Sequence, residues 1–225
     1  MISIAQTNLQ LYRQLIACRW SDRELKAARA AYELAMELFP CRFRSSGKPF
    51  VSHLVGTASV LAVCDFPPDV VIAGLLHAVY LQGDFLDGEK GITEKRRKFI
   101  AQKFGKRVEG AIAGYSKLPW DLSVVTKLLG TSTSLGELER KILAIRIAND
   151  IDDHLDCGMV LSNKTEKIEA GNGEPHPLSR LAIRNELQQL SELVDEVYAD
   201  QYETELPDVL RSGKSVSFDI KSTNS

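Results

Sequence analysis

The sequence predicts an all-α fold organised as one domain, on three observations. Nearly every ordered segment repeats its apolar residues at the three-to-four-residue spacing of a helix face. No hairpin signal or internal repeat interrupts that pattern. A chain of 225 residues, 44% of them hydrophobic, is long and apolar enough to bury one sizeable core.

The elements follow in order. In SDRELKAARAAYELAMELF, Ser21 and Glu24 stand at capping-box spacing, and Leu25, Ala28, Tyr32, Ala35 and Phe39 form one apolar stripe. RSSGKP breaks the chain, and FVSHLVGTASVLAVC resumes the helix. DFPPD turns it, with Pro67 or Pro68 suited to a first helical turn. DVVIAGLLHAVYLQ is apolar nearly all round and reads as the central buried helix, followed by the loop GDFLDGEKG. TEKRRKFIAQKF and KRVEGAIAGYSKL read as two short helices hinged at Gly105, the first presenting a solvated basic face. SLGELERKILAIRIANDIDDHLD is a long amphipathic helix, NKTEKIEAGNGEPHP a polar loop, and LSRLAIRNELQQLSELVDEVYADQYETEL a last long helix. These elements divide the chain into a helical domain over 1–165, a C-terminal helical extension over 166–205 packing on it, and a Ser/Lys-rich flexible tail over 206–225.

Charge and composition exclude several classes. A net charge of −2 provides no global field for nucleic acid. No apolar run approaches the roughly 20 residues of a membrane span, and the N-terminal stretch lacks a signal-peptide core, so a cytoplasmic protein is expected. Cys18, Cys41, Cys64 and Cys157 show no metal-ribbon spacing and read as free, mostly buried thiols.

Three stretches carry chemistry: RSSGKPFVSHLVGTASVLA (44–62), PPDVVIAGLLHAV (67–79) and FGKRVEGAIAGYSKL (104–118), with IRIANDIDD (145–153) as a fourth. In order and spacing they resemble the hydrolase (HD) domain of the RelA/SpoT stringent-response enzymes. The resemblance covers roughly residues 20–160 and implies a single helical HD-type domain. It also implies a divalent metal, usually manganese, supporting hydrolysis of the 3′-pyrophosphate of guanosine tetraphosphate. Such an ion acidifies bound water and neutralises phosphate charge.

Position by position, His53 matches the family's first metal-binding His and His77 the second. Ala78 stands at the partner Asp, Leu81 and Gln82 at a supporting Glu-Asp pair, and Asn149 at the later Asp. Two neutral imidazoles alone make a poor cage for a hard cation. The resemblance therefore implies a degenerate centre, with any metal held by His53 and His77 and no cofactor otherwise. The fourth element reverses its family order: Asn149 precedes Asp153 by one turn, so an amide and a carboxylate still share a helix face. Either Asp153 serves the site or NDIDDHLD is a solvated helix end with Asp150, Asp152, Asp153 and Asp156 exposed.

Arg44 matches a nucleotide-contacting Arg of that family, and Lys48 beside Gly47 completes a phosphate clamp. Ser116 and Lys117 match a pair bordering its nucleotide pocket. Tyr80, with Leu81, lines the site or fills the space the missing acids leave. His154 and His176 read as surface residues.

Three functions remain open. One is a degenerate domain binding a phosphorylated, nucleotide-like small molecule or a protein partner. Another is a rewired metal-dependent enzyme using His53, His77 and Asp153. The last is an interaction module whose final helix packs Leu181, Ile183, Leu187, Leu190, Leu193 and Val194 at home or on a second copy as a homodimer.

Overall fold

The computed structural model describes residues 3–44, 46–131, 135–155, 175–203 and 218–219. Asp156, Cys157, most of the polar loop and most of the tail lie outside the described residues.

The described chain is all-α apart from one short strand pair. Helices α1 (Asn8–Ala17) and α2 (Asp22–Leu38) each open on a capping box, Thr7 with Gln10 and Ser21 with Glu24. The two-residue strand β1 (Arg42–Phe43) follows. Helix α3 (Phe50–Val63) is enclosed along nearly its whole length. It packs against α4 (Pro68–Leu75), which Pro68 starts at the first helical position, and against α9 (Glu137–His154). α5 (Val79–Gln82), α6 (Glu94–Phe104), α7 (Lys106–Lys117) and α8 (Leu122–Gly130) lie between α4 and α9 in the chain, with Gly105 at φ +93° as the hinge between α6 and α7.

Two predicted continuous helices are broken, each for a local reason. After Leu75, the Gly74 carbonyl accepts from the His77 backbone N–H at 3.4 Å and from the His77 ring Nδ1 at 2.7 Å. That carbonyl is the one a continuing helix would offer to Ala78, so the chain turns there and restarts as α5. The last long helix divides into α10 (Pro177–Arg184) and α11 (Gln188–Glu203). Glu186, at φ +61°, adopts a left-handed conformation while Leu187 N–H bonds back to the Ala182 carbonyl at 2.9 Å, a Schellman closure. α10 packs on α8, and α11 on α9. Leu181, Leu190, Leu193 and Val194 are buried there within the chain, whereas Ile183 is half exposed. Phe218–Asp219, inside the predicted tail, pair antiparallel with β1 as β2.

Several surface expectations are corrected. His176 is buried, with its ring stacked on Tyr198 at 3.8 Å, and the His154 ring lies 4.4 Å from the same tyrosine. Cys18 and Cys41 are exposed; Cys64 is buried, and burial pushes its thiol up to about 12. Nor is the face of α6 merely solvated. Arg96 is buried and ties down the 83–92 loop through Asp87, the Glu89 carbonyl at 2.6 Å and the Gly91 carbonyl at 2.8 Å, with its guanidinium over Phe85.

The Arg96 hydrogen bonds hold the Asp87 carboxyl down at about 2. A depressed carboxylate stabilises the fold above its unfolded value of about 3.9, and that contribution is lost as pH falls from there toward 2. Asp87→Asn is expected to lower Tm at neutral pH and to flatten the acid limb of the Tm-against-pH profile over that window. A profile parallel to wild type would show that the pair does not couple to folding.

Candidate functional site

The candidate site begins at the turn after β1. Phe43 bridges to Pro49, Arg44 N–H donates to the Lys48 carbonyl at 2.8 Å, and Gly47 N–H donates to the Arg44 carbonyl at 2.9 Å. Gly47 sits at φ +83°, a conformation that costs glycine little. This closure sets Arg44 and Lys48 side by side at the head of α3, one turn before His53.

Helix α9 brings the acids. Its buried face runs Ile142, Ile145, Asn149, Asp152, at alternating spacings of three and four. Asp152 Oδ2 lies 2.7 Å from His53 Nδ1, and its Oδ1 accepts from Lys48 Nζ at 2.7 Å and from Gln6 Nε2 at 3.4 Å. The carboxylate lies directly over Gly56, where a Cβ would meet Oδ1 at 1.7 Å. Beside it, Asp153 pairs with Arg44, approaches His53 Nδ1 at 3.5 Å through Oδ1, and accepts from Asn149 Nδ2 at 3.3 Å. Asn149 Oδ1 accepts from the Tyr115 hydroxyl at 3.0 Å.

The two histidines meet edge to face, with ring centroids 5.2 Å apart, and Tyr115 flanks His77 at 4.8 Å. Both imidazoles are buried. Burial, followed by the neighbouring His53, pushes His77 well below its ordinary range, so its ring is neutral. Since its Nδ1 donates to the Gly74 carbonyl, Nε2 carries the lone pair. Nε2 of His53 is buried without a hydrogen-bond partner among the described residues. Burial alone would raise Asp153, but His53 and the Arg44 guanidinium outweigh it and hold the acid below its usual range. Asp150 is the opposite case: burial pushes it up to about 7, although Trp120 Nε1 donates to it at 2.6 Å.

These positions overturn the solvated-helix-end alternative for Asp150, Asp152 and Asp153. The site gathers Arg44, Lys48, His53, His77, Asn149 and Asp153. Tyr80 is buried but directs its hydroxyl to Glu109 at 3.2 Å, and Glu109 in turn binds Arg97; Leu81 is half exposed, so it does not seal the histidines. Ser116 Oγ donates to the Ile112 carbonyl at 2.9 Å. Lys117 is exposed and borders a separate cavity of about 290 Å³ between α7, α8 and α9. Asp152 is a candidate site residue that motif matching passes over. Its signal lies in the spacing of the buried face of α9, not in any motif.

A helical bundle converging on paired histidines and aspartates defines the class. The chain belongs to the HD-domain family, whose model matches residues 31–150, more than half of the sequence. It is 31% identical over 105 residues to the bifunctional (p)ppGpp synthase/hydrolase SpoT of Escherichia coli, covering 47% of this chain and 14% of that protein. A guanosine-3′,5′-bis(diphosphate) 3′-pyrophosphohydrolase of Haemophilus influenzae is 26% identical over 194 residues, 80% of this chain and 27% of its own length. One of the same description from Borreliella burgdorferi is 22% identical over 165 residues, 70% of this chain and 23% of its own. The chain thus spans less than a third of the length of these relatives.

HD domains are typically metal-dependent, and His53, Asp152 and Asp153 bring donor atoms within 4.8 Å of one another. Most of these donors are already engaged within the chain. Ala78 offers no donor, and the Asn149 oxygen is engaged by Tyr115. Asp152 is shared between His53 and Lys48, while Asp153 is engaged by Arg44 and Asn149. Each of the two acids thus has a cation of the chain as a partner.

Gly56→Ala tests this packing. The added methyl must displace the Asp152 carboxylate, and overpacking of this kind costs about 1–3 kcal/mol. Urea denaturation should show that loss. Wild-type stability in the variant would mean that α3 and α9 part without cost.

Proposed function

We propose that this HD domain binds a phosphorylated, nucleotide-like small molecule and has lost efficient metal-dependent hydrolysis. One observation carries the reading: both carboxylates nearest His53 are already neutralised from within the chain, Asp152 by Lys48 and Asp153 by Arg44. A centre whose charges are spent on each other lacks the unsatisfied anionic oxygens that attract a divalent ion. Ala78 and Asn149 at matched carboxylate positions point the same way. The ligand class is supported by the guanosine bis(diphosphate) hydrolases among the relatives and by the two cations at the mouth of the site, each about one-fifth exposed. Arg44 keeps further N–H donors beyond the one given to Asp153, in the fork geometry that suits phosphate.

A second reading, a hydrolase with a rewired site, is favoured by the clustering of His53, Asp152 and Asp153. Calorimetry with guanosine-3′,5′-bis(diphosphate), alongside a manganese-supplemented pyrophosphate-release assay, separates the two. Binding is expected together with release at least ~100-fold slower than that of an intact HD hydrolase, since disrupting even the partners of metal ligands costs 10–100-fold. Robust manganese-dependent turnover would establish the hydrolase instead.

Arg44→Ala is expected to weaken binding about 10-fold or more, the loss of one charged hydrogen bond. Because Arg44 also pairs with the largely buried Asp153, the same variant should lower Tm. Unchanged affinity would exclude Arg44 from the ligand contact.

A further inference from the structure

We propose that the Lys48 ammonium stands in the place of a divalent cation, so that removing it turns this centre into a binding site for an ion such as Mn²⁺ or Zn²⁺. The inference deepens the reading above, on which it rests for the loss of metal dependence.

Asp152 is completely buried, and an ionised carboxylate so placed requires a compensating charge. Lys48 Nζ supplies it at 2.7 Å, while the other carboxylate oxygen holds His53 Nδ1 at 2.7 Å. Gly56 fixes the carboxylate from beneath, so its position does not depend on Lys48 alone. Ammonium is a compact point charge on a flexible stem, closer to a metal ion in shape than a planar guanidinium is. Without Lys48, Asp152 would keep its bonds from His53 and Gln6 but lose its lysine, leaving Arg44, paired with Asp153, as the one Lys or Arg cation bonded to the two acids among the described residues. A second observation marks the ligand set. The 2.7 Å contact with the Asp152 carboxylate places the ring proton on Nδ1, and His53 Nε2 is buried with no hydrogen-bond partner among the described residues, so Nε2 can take that proton when an ion claims Nδ1. One imidazole and two carboxylates are a mixed nitrogen and oxygen set of the kind manganese and zinc accept.

The test uses the full chain, stripped with chelator, and needs no phosphorylated ligand. Wild type, Lys48→Ala, Lys48→Gln and Lys48→Ala/Asp152→Asn are titrated with MnCl₂ and with ZnCl₂ by calorimetry, and Tm is measured with and without each metal. Lys48→Ala is expected to bind one ion per chain at least ~100-fold more tightly than wild type, as follows from stranding a buried charge. Its Tm should fall without metal and recover with it, and the double variant should show neither the site nor the recovery. If Lys48→Ala does not fold without metal, Lys48→Gln keeps a donor for Asp152 without the charge and is expected to gain the same site. Wild type binding as tightly as Lys48→Ala would overturn the proposal, as would folded variants that gain no site. Should guanosine-3′,5′-bis(diphosphate) fail to bind wild type while Lys48→Ala gains the ion, the ligand reading falls and this one stands.

Discussion

The Asp152 carboxylate rests against the Cα of Gly56, and the other charged groups at the centre are arranged around that contact. A side chain at position 56 would occupy the space of Oδ1, so the close approach of α3 and α9 depends on glycine there. That approach places His53 against one carboxylate oxygen and leaves the other facing the turn that carries Lys48. Asp153, next on the helix, then falls within reach of Arg44. Packing geometry comes first, and the charge pairing follows from it.

The pairing gives the substitutions at the matched positions a common sense. Ala78 and Asn149 are buried and carry no charge, while Lys48 and Arg44 supply positive charge to Asp152 and Asp153. Breaking a buried ion pair on one side is costly because it strands the other charge. His77 retains a neutral ring anchored through Nδ1 to a backbone carbonyl, and that anchor is also what ends α4.

Much of the fold was legible because periodicity and caps are local. The capping box of Ser21 and Glu24, the proline start of α4 and the Gly105 hinge are each set by residues adjacent in sequence. The two broken helices were not legible. The apolar run through His77 continues across the break, and the turn arises from one side chain competing for a backbone carbonyl; Glu186 adopts positive φ without glycine to announce it. Motif spacing singles out Arg44, His53 and Asp153, and the fold brings these three together. The roles of Asp152 and Gly56 are joint properties of residues far apart in the chain, visible only when α3 and α9 are docked. Arg96 and His176 look like surface residues in isolation, and only their tertiary partners bury them.

The closed set of Lys48, Arg44, Asp152 and Asp153 bears on how fast, as well as how tightly, a charged molecule can be captured. Two positive and two negative groups interleaved within a few ångströms form a quadrupole, whose field decays faster than that of a net charge. Beyond a Debye length of about 8 Å at physiological salt, it exerts little pull. An anionic ligand approaching this face is therefore not steered from a distance. Its association rate should depend only weakly on ionic strength.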